Sequence, residues 1–108
     1  MENCEAYIRT HYWDNELNID YLASLAQMSA VYFRKSFQAV YKTSPKKYLT
    51  HIRLEQACKW MKYPFLRLEE CAELCGFSSW QYFSKVFKNE MGETPAVYRK
   101  NLFSKDKN

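Results

Sequence analysis

The chain repeats itself at an interval of about fifty residues, and this repeat limits the folds open to it more than any other feature does. Tyr32, Phe33, Lys35 and Phe37 recur as Tyr82, Phe83, Lys85 and Phe87, and Pro45 and Tyr48 recur as Pro95 and Tyr98. Upstream the interval is forty-nine, so that Ala23 aligns with Ala72, Met28 with Phe77 and Ser29 with Ser78. This alignment gives the second copy one extra residue between its two helices, near Ser79-Trp80. Six identities over residues 32–48 exceed what two unrelated amphipathic helices share. Each copy reads as a short helix, a tight turn and a longer helix with aromatic anchors, which is a helix-turn-helix. The plainer alternative is an ordinary helical bundle with an old duplication.

Helical periodicity and start signals fill in the rest. Residues 4–13 place Tyr7, Ile8, His11 and Tyr12 at three-four spacing. A short helix follows from a capping Asp20 through Leu22, Ala23, Leu25 and Ala26. Ser29 caps a longer helix with Phe33, Phe37 and Val40 or Tyr41 inward. Ser44-Pro45 starts another, with proline at the first helical position, and it runs to Tyr63-Pro64. Beyond Pro64, Leu68 to Cys75 is short, and residues 79–90 are longer with Tyr82, Phe83, Val86 and Phe87 inward. Gly76 and Gly92 suit left-handed turns, where the first copy has Gln27 and Lys42. Thr94-Pro95 starts a final short helix, and the polar tail 104–108 is expected to fray. The reading is all-α, about seven helices: a first unit at 1–44, a linker helix at 45–63 and a second unit at 64–103.

The helix at 45–62 is apolar around most of its wheel. At about 100° per residue, Leu49, Ile52, Arg53, Gln56 and Trp60 share one side, and Leu54, Ala57, Cys58 and Met61 the next. The apolar arc of roughly 240° is far wider than the stripe of a surface helix. Such a helix joins two packed units. Arg53 sits between the apolar sides and is expected to pair with a buried acceptor.

The chain of 108 residues is 47% hydrophobic and 18% aromatic, which argues against disorder, and its two glycines and three prolines argue against a many-turned β protein. No apolar run reaches a membrane span, and the N-terminus lacks a basic stretch followed by an apolar one. The net charge is only +4, but it is unevenly placed. Residues 1–28 hold one arginine against five acids, and residues 29–67 hold nine cations against one. A basic middle on a nearly neutral chain hints at a polyanionic partner.

Cys4, Cys58, Cys71 and Cys75 form no CxxC pair or zinc-type spacing. They read as buried free thiols, with no metal or cofactor implied, and hence as a cytoplasmic protein. Neither His11 nor His51 sits in a catalytic motif, and no phosphate-binding glycine loop, HExxH or GxSxG occurs. An enzyme is therefore not expected.

The residues at 71–99, CAELCGFSSWQYFSKVFKNEMGETPAVYR, resemble the AraC/XylS-type transcription activators. The resemblance rests on Ala72, Gly76, Phe77, Phe83, Phe87, Lys88, Gly92, Thr94, Pro95, Tyr98 and Arg99. It extends more loosely through Leu22-Ala23, Tyr32-Phe33, Phe37, Ser44-Pro45, Tyr48-Leu49, Arg53 and Ala57. Departures are Gln27 and Lys42 in place of small residues, and Cys71 and Cys75 in place of aliphatics.

That resemblance implies a cytoplasmic, sequence-specific binder of double-stranded DNA that activates transcription. RNA polymerase would be a partner, and a sensor domain would accompany the chain if it is a fragment; no membrane is implied. It assigns base contacts to Val31, Arg34 and Lys35, and to Trp80, Gln81, Ser84 and Lys85. With Phe33 and Phe37 inward, Gln38 also faces out and can pair with adenine. Ser29 and Ser78, read as N-caps, would present backbone N–H groups to phosphates. Lys42, Lys46, Lys47, Lys88 and Arg99 complete the candidate phosphate contacts. A rival reading is a helical protein–protein module; steep loss of duplex binding with salt distinguishes the two.

Overall fold

The computed structural model describes residues 2–106, and among these every regular element is a helix. In chain order they are α1 (Glu2–His11), α2 (Ile19–Leu25), α3 (Ala30–Tyr41), α4 (Pro45–Trp60), α5 (Leu68–Leu74), α6 (Trp80–Met91) and α7 (Pro95–Asp106). The molecule is a rod of 49 × 23 × 22 Å. α7 continues through Asp106, although the sequence suggested a tail beginning at Ser104; residues 107 and 108 lie outside the described part.

Side-chain caps start α2, α3, α4 and α6. Asn18, not Asp20, caps α2: its Oδ1 accepts from Tyr21 N at 2.8 Å, and Asp20 falls inside the first turn. Ser29 and Ser44 cap α3 and α4 through Tyr32 N and Lys47 N. In the second unit the cap of α6 is Ser79, accepting from Tyr82 N at 3.1 Å, and Ser78 is exposed in the turn. The interval between the caps is thus fifty, whereas Met28 N→Ala23 O and Phe77 N→Ala72 O close the preceding turns at forty-nine. The extra residue of the second copy is therefore Ser78, one step earlier than sequence alignment placed it.

Two cores hang on α4. Leu49 and Ile52 join Cys4, Ile8, Leu22, Phe33 and Phe37 in the first. Leu54, Ala57 and Met61 join Cys71, Ala72, Cys75, Phe77, Phe83 and Phe87 in the second. The wide apolar arc is thus divided between two sets of neighbours. Burying phenylalanines of this size stabilises each core by about 1.5–3 kcal/mol per side chain. The inward set differs in detail: Val40 and Tyr82 are exposed, Tyr41 packs partly against the first core, and Cys58 is only half-buried.

Arg53 fastens the two halves. Its Nε donates to the carbonyl of Tyr12 at 2.8 Å and its Nη2 to that of Asp14 at 2.7 Å, as expected of a cation between two apolar sides. Burial depresses its pKa, with Tyr82 and Asp14 acting against that shift. Gly76 packs against the same loop: a Cβ there would stand 2.3 Å from the Tyr12 carbonyl oxygen and 2.9 Å from Arg53 Nε. Gln27 and Lys42 adopt left-handed φ of 57° and 63°, matching Gly76 and Gly92, so the first copy turns as the second does without glycine.

Candidate nucleic-acid interface

α3 and α6 are built alike. In each, a serine caps the first turn and two phenylalanines one turn apart are fully buried, Phe33 and Phe37 in one, Phe83 and Phe87 in the other. The rings of each pair meet at 5.9 Å and 5.5 Å. That anchoring fixes which residues face out. Val31, Arg34, Lys35 and Gln38 are exposed on α3, and Gln81, Lys85 and Lys88 on α6. Ser84 is half-buried, and Trp80 leans on the second core with its ring 5.6 Å from Phe83. Trp80 is therefore anchored packing with one side open.

The candidate phosphate contacts divide. Ser29 is exposed at the start of α3, while Ser78 is displaced from the α6 cap by Ser79. Lys42 closes α3 and donates to the carbonyl of Ala39 at 3.0 Å. Lys46 and Lys47 open α4 and line a cleft of about 570 Å³ between the units, with Tyr82, Val86 and Glu90 opposite. Arg99 is committed inside the fold. Its Nε donates to the Met61 carbonyl at 3.0 Å and its Nη2 to that of Tyr63 at 2.6 Å, tying α7 to the end of α4. These two bonds use Nε–H and one Nη2 hydrogen of a group with five N–H donors, and its basic character alone gave the sequence no means to show this anchoring.

No group of three or more His, Cys, Asp or Glu among the described residues is placed to hold a metal. Cys71 and Cys75 are buried in the second core with Cys58 packed against it, and Cys4 is buried in the first. Burial pushes the Cys71 and Cys58 pKa values up and that of Cys75 up to about 12. No described helix is long and apolar enough to cross a membrane.

Two helix-turn-helix units on one linker helix, each with an exposed polar face on its second helix, define a class of nucleic-acid-binding module. The profile of a helix-turn-helix domain family matches residues 22–101, and the chain belongs to that family in its AraC-type form. It is similar to the C-terminal domain of AraT, a response regulator from Geobacillus stearothermophilus, with 30% identity and a TM-score of 0.88 over 93% of this chain and 83% of that one. It is similar to the DNA-binding domain of AdpA, a structure in complex with target DNA, with 25% identity and a TM-score of 0.90 over 96% and 93% of the two chains. Among curated relatives, the RCS-specific transcriptional activator RclR of Escherichia coli is 35% identical over 85% of this chain and 31% of its own. The chain spans about a third of the length of the first curated relatives it matches.

Proposed function

We propose that the chain binds double-stranded DNA in a sequence-specific manner as the DNA-binding part of a transcription regulator, with α3 and α6 in successive major grooves. The observation that carries this reading is the duplicated outward face held at a fixed separation by α4. Arg34, Lys35, Lys85 and Gln81 supply donors that match base edges, Gln38 and Ser84 add polar reach, and Val31 and Trp80 offer apolar contact to thymine methyl or sugar. Ser29, Lys42, Lys46, Lys47 and Lys88 hold phosphates. The working division is a first unit to residue 44, the linker helix, and a second unit from residue 64. Activation through RNA polymerase and control by a sensor domain complete the reading. The added length of the relatives leaves room for that sensor, and one of them is named an activator. Binding without catalysis, in the cytoplasm, fits this assignment.

Selection from a random duplex pool, followed by mobility shift and footprinting, tests the proposal. The expected footprint covers about two turns, since major grooves recur every 34–36 Å or so. Arg34→Ala should cost about 1–3 kcal/mol on the selected site and relax preference at one base pair. Lys88→Ala should weaken all duplexes alike and lower the salt slope by about 1. Duplex binding that ignores salt, or Arg34→Ala weakening every sequence equally, would overturn these assignments.

A further inference from the structure

The two recognition helices share an exposed residue that neither core nor base reading uses. Tyr32 and Tyr82 are repeat partners, each immediately before a buried phenylalanine and each third in its helix after the capping serine. Tyr32 is 62% exposed and Tyr82 43%. Helical geometry sets their direction. At about 100° per residue, with inward taken midway between Phe33 and Phe37, Lys35 points straight out. Arg34, Gln38 and Val31 lie to one side of it, and Tyr32 lies on the other, about 120° from inward. The same construction on α6 puts Lys85 at the centre, Ser84 at one edge and Tyr82 at the opposite edge. The structure bears this out for Tyr82, which faces the cleft that also holds Lys46 and Lys47.

Resting on the DNA-binding reading above, we propose that Tyr32 and Tyr82 are a matched pair of backbone clamps. Each would lay its ring along a sugar and donate its phenol O–H to a phosphate on the groove wall opposite the edge held by Arg34 or Ser84. A phenol suits that task because its apolar body contacts sugar while its tip donates a hydrogen bond. No hydrogen bond within the protein engages either hydroxyl among the described residues, and only Tyr82 has a ring neighbour, Phe77 at 6.2 Å. Because the two residues are repeat equivalents, they would grip corresponding walls of two grooves one turn apart, setting the register in which the basic residues meet the bases.

A neutral donor gives this proposal its own signature. Removing a lysine lowers the number of phosphates neutralised and hence the salt slope, whereas removing a phenol hydroxyl leaves the slope alone. Tyr32→Phe and Tyr82→Phe keep the ring and its packing. Each should weaken both the selected duplex and a random-sequence duplex pool roughly five- to tenfold, at unchanged salt slope. Tyr32→Ala should weaken them further by removing the ring. Affinities are taken per folded molecule, from thermal melts of each variant. A double Phe variant within twofold of wild type overturns the proposal, as does a loss confined to one base-pair preference or one that vanishes after correction for the folded fraction. Failure of the wild-type chain to bind any duplex in a salt-dependent way would sink the DNA reading itself, which is a different result from intact wild-type binding with silent tyrosines.

Discussion

Gly76→Ala should be the most damaging single methyl that can be added to a turn of this chain. The glycine sits at φ +91°, where an L-residue costs about 1–2 kcal/mol more than glycine. The added Cβ would also lie 2.3 Å from the Tyr12 carbonyl oxygen, against ordinary contacts of 3.4–4 Å, an overlap of at least 1.1 Å with backbone. That carbonyl is an acceptor for Arg53 Nε at 2.8 Å, and the new methyl would press on Nε itself at 2.9 Å. Relief therefore requires the 12–14 loop to withdraw from a half-buried guanidinium, and a hydrogen bond to a charged group is worth about 1.5–3 kcal/mol. The two contributions together come to about 2.5–5 kcal/mol, a large part of the roughly 5–15 kcal/mol that stabilises a domain. Urea and thermal unfolding followed by circular dichroism measure it, with the midpoint expected to fall by roughly 10 °C or more. Gly92→Ala is the internal control: φ is +81° but nothing lies within 4 Å, so only the backbone term of about 1–2 kcal/mol applies. If Gly76→Ala unfolds within about 1 kcal/mol of wild type, the close approach of α5, Arg53 and the 12–14 loop is wrong.

Ser79→Ala should cost about 1 kcal/mol through loss of the bond from Tyr82 N, while Ser78→Ala stays within about 0.5 kcal/mol, as denaturant midpoints will report. Lys42→Gly should stabilise by up to about 1 kcal/mol, since it relieves a φ of 63° at an exposed helix end and loses only the bond to Ala39. Cys75 has its pKa pushed up from 9.0 to about 12 by burial, so the native state keeps a proton that the unfolded chain releases between those values. The contribution of Cys75 should therefore be constant below pH 9 and fall above it by about 1.4 kcal/mol per unit, so stability should fall less steeply with pH in Cys75→Ala, as urea midpoints across that range will show.

What the sequence made legible was whatever its repeat and periodicity encode locally. The seven helices of the described residues, the Ser44-Pro45 and Thr94-Pro95 starts, the phenylalanine anchors and the two-sided α4 all arise from spacing within one or two turns. The errors arose where two local rules agree and only packing decides between them. Ser78 and Ser79 are equally good caps on paper, and the turn bonds of Ala72 and Phe77 choose the second. Tyr82 reads as an inward aromatic, yet the burial of Phe83 and Phe87 rotates it outward into the cleft. Arg99 reads as a surface cation, yet the carbonyls of Met61 and Tyr63, just past the end of α4, also engage it. The identity of Tyr32 with Tyr82 was visible as a repeat match; its exposure needed the direction of both anchors.

The arginines on α4 and α7 give the proposed function its mechanical requirement. Reading two grooves at once demands that α3 and α6 keep a fixed distance and phase, because a shift of one unit against the other moves donors off base edges. A helix alone resists bending but leaves each unit free to roll on its own apolar side. Arg53 blocks that roll from the first unit by holding the carbonyls of Tyr12 and Asp14 against α4, and Gly76 brings the second unit's turn against the same carbonyl. Arg99 blocks it at the far end by tying α7 to Met61 and Tyr63. The cations of the chain therefore divide into two sets: Arg53 and Arg99, which hold the two units in phase, and those on the exposed faces of α3 and α6 that would do the reading.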